Sequence, residues 1–265
     1  MHWRFLGLVT LALVASGCGQ TTTRPSAHAE GSTVALTKPK VTTQATARQH
    51  CRHRLTVARS DSSLVLHVQR TVLARRQPNL ASRAIADIDA HNRFNLPTVL
   101  SAFEQINGST CQAVWFHAKL PREPNGISGW IPANAVTVTR SDARILVDLS
   151  ARRIDVFKRG HRIWRLRAGI GAPGSPTPVG WFYIDAHWHV GNTAGPYGPA
   201  VLAIAAYSQV RAGRWEHGLP SAIHGTNAPW TIGGAASHGC LHVPNESLAR
   251  LLRLIPDGTP IQIVA

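Results

Sequence analysis

Acidic side chains are scarce. Thirteen Asp and Glu stand against 28 Lys and Arg, leaving a formal charge of +15 with histidine neutral. That balance calls for an anionic partner, and nucleic acid, phospholipid and wall polymer all carry the right sign. Clustering of the basic residues is also missing. They occur singly or in pairs such as Arg75-Arg76 and Arg152-Arg153, with no nucleic-acid-binding motif around them, so no nucleic-acid partner is expected. The apolar stretch Phe5 to Val14 is about ten residues, whereas a bilayer-spanning helix needs ~20. His161 and His187-Trp188-His189 have no Cys at short ligand spacing, and His-x-His on a strand is usually surface, so no metal and no cofactor are expected. There is no internal repeat, and there are only four cysteines: Cys18, Cys51, Cys111 and Cys240.

The N-terminus does contain a recognisable pattern. Met1-His2-Trp3-Arg4 is a short basic start, the apolar stretch follows, and small residues then lead to Cys18. The length suits the core of an export signal. The run Val14-Ala15-Ser16-Gly17-Cys18 resembles the bacterial lipobox, although a large aliphatic residue is usual where Ala15 stands. That resemblance implies acylation of Cys18 and a lipid-anchored protein at the outer face of the cell membrane or in the wall. A plainly cleaved signal and a membrane-retained segment are the alternatives. Acyl chains add ~0.8 kcal/mol per buried methylene, and two or more anchor stably.

Four segments follow from the composition. Residues 1–18 read as signal and lipobox. Residues 19–50, rich in Thr, Ser, Ala, Pro and Lys without apolar periodicity, read as a flexible tether. Residues 51–140 read as a small, mainly β domain, SH3-like or a similar barrel, with strands at Leu64–Val68 and Ala113–Ala118 and a short helix between Asn79 and Ala90. Residues 141–265 begin with a meander whose strands have one wet face. They end with a helix from Asn245, taken as its N-cap, to Leu254 before Pro256, and a strand at Ile261–Val264.

Chemistry concentrates in Ile223-His224-Gly225-Thr226 and Ala236-Ser237-His238-Gly239-Cys240-Leu241-His242. Cys240 lies two residues after His238 and sixteen after His224. A thiol becomes a strong nucleophile when a base or positive field favours its thiolate. If His238 and Cys240 shared an extended strand, their side chains would leave one face side by side. A histidine arriving on an adjacent strand could face the thiol, which favours His224 as base. No Asp or Glu lies within either motif, so a backbone carbonyl near Gly225 is expected to orient its other nitrogen.

His-Gly-Thr followed by Ser-His-Gly-Cys resembles the signature of the L,D-transpeptidase (YkuD-type) catalytic domain, a β-sandwich-like fold with a short helix. The likeness covers about residues 143–265. It includes Pro176-Thr177-Pro178-Val179-Gly180, Tyr197-Gly198 and the Pro-Asn before the helix, and the upstream Pro124-Asn125-Gly126…Gly129-Trp130 is similar to actinobacterial members. The resemblance implies that Cys240 attacks a meso-diaminopimelate stem peptide of peptidoglycan, that His224 is the base, and that amides of His238, Gly239 and Cys240 hold the oxyanion. Tyr197, Thr226, Ser237 and His242 are expected as substrate contacts. His242 departs from the Arg or Asn common at its position, and a neutral imidazole there would weaken a charge-assisted contact.

With Cys18 lipidated and Cys240 a working thiol, Cys51 and Cys111 remain to pair as a disulfide outside the cytosol; two buried free thiols are the alternative. The activity expected is 3→3 cross-linking through a thioester. Carboxypeptidase trimming, attachment of a protein to the wall, and a catalytically silent wall-binding lipoprotein are the competing readings.

Overall fold

The computed structural model describes residues 53–57, 62–208 and 219–265. Cys18, Cys51, the leader and the tether lie outside them. Gln49–Ala265 forms one compact unit. The protein is mainly β, with one α-helix among the described residues.

The first sheet contains β1 (Arg54–Thr56), β2 (Ser63–Val68), β3 (Val72–Arg75), β4 (Ala84–Ile88), β5 (Val99–Asn107), β6 (Ala113–Lys119), β7 (Ser128–Pro132) and β8 (Val136–Ser141). Its order is β4-β3-β7-β6-β5-β2-β8, with β1 against β5. The helix expected between Asn79 and Ala90 is absent. Ala84–Ile88 is instead a strand, with Asp87 opposite Leu73. Helix propensity of an alanine-rich segment is a weak preference, and the ladder to β3 overrides it.

The second sheet contains β9 (Ala143–Asp148), β10 (Arg153–Lys158), β11 (His161–Arg167), β13 (Gly180–His189), β14 (Ala200–Tyr207), β15 (Pro220–His224), β17 (Leu241–His242) and β18 (Pro260–Val264). A short parallel pair, β12 (Ile170–Gly171) and β16 (Ala235–Ser237), lies off it. The order is β11-β10-β9-β18-β13-β14-β15-β17. Helix α1 (Asn245–Leu254) buries Leu248 and Leu251 against this sheet.

Strand period explains how the two halves join. In β13 and β14 the even-numbered Phe182, Ile184, Leu202, Ile204 and Ala206 enter the core of the second sheet, whereas Tyr183 and Ala205 enter the core of the first. Alternate side chains leave opposite faces, so strands covered on both sides read as continuous apolar runs. Every residue of β14 is buried.

Polar bonds fix the same junction. Arg93 Nη2 donates to Asp185 Oδ2 at 2.8 Å, and the Asp185 side chain is wholly buried. Burial pushes the Asp185 carboxyl above the usual carboxylate range, although Arg93 pulls it down. Asn125 brackets Tyr207, its Nδ2 donating to the Tyr207 carbonyl at 2.7 Å and its Oδ1 accepting from the Tyr207 amide at 2.8 Å. The Tyr207 hydroxyl donates to the Pro121 carbonyl at 2.7 Å.

Cys111 sits in a turn at φ 66° and is disulfide-bonded.

A buried ion pair stabilises little in net, but removing one partner strands the other charge. Asp185→Ala is therefore expected to lower unfolding stability by about 3–5 kcal/mol in urea titration. A loss below about 1 kcal/mol, the scale of an exposed pair, would contradict this account of the junction.

Candidate active site

The site is built on the end of β15 and the two-residue strand β17. They pair in parallel, with Ile223 opposite Leu241 and His224 opposite His242. The ladder continues as the Val243 amide donates to the His224 carbonyl at 2.9 Å. One step back along the register, Cys240 comes opposite Ala222, whose amide hydrogen-bonds the thiol. Side chains of period two then share a face: Ala222 and His224 from one strand, Cys240 and His242 from the other.

His224 is only 4% exposed. Its Nδ1 lies 2.5 Å from the Gly225 carbonyl oxygen, so Nδ1 carries the proton and Nε2 is bare. The edge of Tyr197 approaches at 5.0 Å between ring centroids and the His242 ring at 4.8 Å. Burial holds the imidazole down at about 4, against the opposing pull of the Gly225 carbonyl, and His242 adds to the depression. Burial pushes the Cys240 thiol up to about 11, only partly countered by the Ala222 amide. Both groups are therefore neutral at rest.

Tight turns hold the thiol in place. Gly239 has φ +112°, a region that L side chains rarely adopt, and a Cβ there would lie 2.8 Å from Ser208 Cβ. Ser208 directly follows the clamped Tyr207, so the Asn125 bracket also backs this turn. Ser237 Oγ donates to the Cys240 carbonyl at 2.6 Å and accepts from the Gly239 amide at 3.1 Å. The Ser237 carbonyl accepts from Ala172 N and Ser175 Oγ.

Residues 142–263 match the family model described as the L,D-transpeptidase catalytic domain, YkuD. This segment is similar to the YkuD catalytic domain. A protein of Bacillus licheniformis named as an L,D-transpeptidase, YkuD, is 30% identical over 120 residues, covering 45% of this chain and 64% of that one. One from Escherichia coli, named as an L,D-transpeptidase, YbiS, is 28% identical over 148 residues, covering 51% of this chain and 48% of that one. This chain thus spans less than two thirds of either relative. A solved L,D-transpeptidase from Mycobacterium smegmatis is similar at 20% identity and a TM-score of 0.36, over 63% of this chain and 91% of that one.

Within residues 142–263, the residues expected from sequence separate into groups. Strand register puts Cys240 and His224 on one face, and His224 Nδ1 is bonded to the Gly225 carbonyl. His238 is exposed, and the turn at Gly239 breaks the extended path to Cys240, so the two do not share a strand face. Gly239, expected to offer its amide to an oxyanion, already donates that amide to Ser237. Thr226 and Ser237, expected as substrate contacts, are each 5% exposed and bonded into the site's own turns. Their hydroxyls brace backbone instead. Tyr197 is 52% exposed beside His224, as a substrate contact requires. His242 faces the base rather than open solvent.

One residue was missed in its role. Asn245 begins α1, but the N-cap is Pro244, and Asn245 Oδ1 accepts from the Thr226 amide at 2.8 Å. It also crowds Gly225 and Gly198, where a Cβ would lie 2.1 and 2.4 Å from that oxygen. The Pro-Asn pair was visible in the sequence; its contact nineteen residues back was not. Among the described residues, no three His, Cys, Asp or Glu side chains gather to hold a metal ion.

Proposed function

We propose that this protein is a cysteine-dependent L,D-transpeptidase that forms 3→3 cross-links in peptidoglycan. The observation that carries the reading is the shared face of β15 and β17, with Cys240 and His224 on it and Nε2 of His224 left bare. Cys240 attacks the carbonyl of the L-to-D peptide bond in a meso-diaminopimelate donor tetrapeptide. His224 Nε2 takes the thiol proton as the C–S bond forms, then gives it to the leaving nitrogen as the C–N bond breaks and D-Ala departs. An acceptor amine attacks the thioester, loses a proton to His224, and expels the thiol. With the thiol near 11 and the imidazole near 4, proton transfer accompanies attack instead of preceding it. The amides of His238 and Cys240 are the donors proposed for the oxyanion.

Incubation with a carbapenem is expected to add its mass to the protein at Cys240, and purified protein is expected to make 3→3 muropeptide dimers. Cys240→Ala should abolish both, and His224→Ala should slow acylation by ~10²–10⁴. Acylation of Cys240→Ala would refute the mechanism.

We also propose that residues 51–140 and 141–265 act together at the outer face of the cell membrane, held by a lipid on Cys18, with Cys51 paired to Cys111. Cys111 is disulfide-bonded and Cys240 is free, which supports the division of roles among the cysteines. Non-reducing peptide mapping of exported protein is expected to yield an acylated Cys18 peptide and a Cys51–Cys111 peptide. An unmodified Cys18 within an uncleaved N-terminus, or Cys51 bridged elsewhere, would contradict it.

A further inference from the structure

We propose that His242 is a positioning residue for the base: it braces the His224 ring from the neighbouring strand, and its own charge state sets the pH at which that base becomes protonated. The inference rests on the roles proposed above for Cys240 and His224.

The backbone of His242 is held from two sides. On one it pairs with His224 in β15. On the other it bridges Gly169, whose amide donates to the His242 carbonyl at 2.8 Å and whose carbonyl accepts from the His242 amide at 3.0 Å. A Cβ on Gly169 would lie 2.7 Å from the Thr231 carbonyl oxygen and 3.2 Å from His242 Cβ. Glycine therefore permits the close approach that brings Thr231 over the ring.

Thr231 also fixes the tautomer. Its hydroxyl donates to the Ala228 carbonyl at 2.7 Å, which uses its one proton. At the 3.1 Å contact between Thr231 Oγ1 and His242 Nδ1, the ring must then be the donor. Neutral His242 carries its hydrogen on Nδ1, its Nε2 is bare, and protonation occurs there.

Two imidazoles 4.8 Å apart disfavour a second positive charge. The charged and titratable groups around them are Tyr197, edge-on to His224; His238, which adds to the lowering that burial imposes on His242; Cys240; and Arg152 and Arg167, both at Gly233 on the loop that holds Thr231. Among the described residues no carboxylate bonds either ring. Arg or Asn is common at this position in the family; histidine gives the neutral form at high pH and the cationic form at low pH.

The test is the pH profile of carbapenem acylation at Cys240, read by intact mass from about pH 3 to pH 8 in wild type, His242→Asn and His242→Arg. Removing the positive neighbour raises the proton affinity of His224. The acid limb of His242→Asn should therefore move to higher pH by about one unit. Arg supplies the same charge permanently, so the limb of His242→Arg should stay with that of wild type and below that of His242→Asn. Cys240-dependent acylation with all three limbs coincident, however slow the variants, would leave His242 a packing residue and overturn the inference alone. Acylation that persists in Cys240→Ala would overturn the parent reading and this inference with it.

Discussion

The parallel pairing of β15 with β17 is the constraint on which the rest of the site depends. Only two residue pairs form it, yet its register decides which side chains meet. A slip of one residue would turn Cys240 and His242 to the opposite face from His224. Short ladders hold register poorly by themselves, and this one is reinforced from outside. Ser237 and Gly239 shape the turn before it, Gly169 pairs with its far side, and Asn245 holds the His-Gly-Thr turn. The two-sided burial of β14 keeps β15 in place behind them. The junction with the first sheet contributes through Tyr207, whose neighbour Ser208 backs Gly239.

The electrostatics follow from that packing. A site that buries an imidazole and half-buries a thiol withdraws water from both, and burial favours the neutral form of each. A preformed thiolate–imidazolium pair would need a carboxylate or a helix N-terminus to hold the cation or the anion. The orienting group here is a carbonyl, which fixes the tautomer of His224 without adding charge. Such a site activates its nucleophile only when a carbonyl carbon is in position to receive the electrons.

Much of this was legible in the sequence, because it depends on local pattern. The meander of β9, β10 and β11 follows from alternation and tight turns, and the helix from Asn245 to Leu254 follows from its leucine stripe and the proline after it. Cys240 and His224 stand out because few residue types can do nucleophilic chemistry and these two occur in tight, glycine-punctuated motifs. What was hidden depends on contacts between distant residues. Ala84–Ile88 has helix-forming composition, and only pairing with β3 makes it a strand. Asn245 read as a cap because a cap is a local role, while its bond to Thr226 depends on where α1 packs. Ser237, Thr226 and Gly239 lay in the right motif, but residue type does not reveal that their polar groups are used within the turns. His242 was expected as a substrate contact, and only the strand register reveals that its ring packs against His224.

The central claim is that the resting site holds a neutral His224 with its proton on Nδ1 beside an un-ionised Cys240. Nitrogen-15 NMR of the His224 ring, followed from about pH 5 to pH 8 in free protein, tests it directly, since ordinary histidine titrates near 6.5 within that range. The account predicts a protonated Nδ1 and an unprotonated Nε2 throughout, because burial holds the group down at about 4. An imidazolium signature anywhere near neutral pH would contradict it and would mean that the thiolate is formed before substrate arrives.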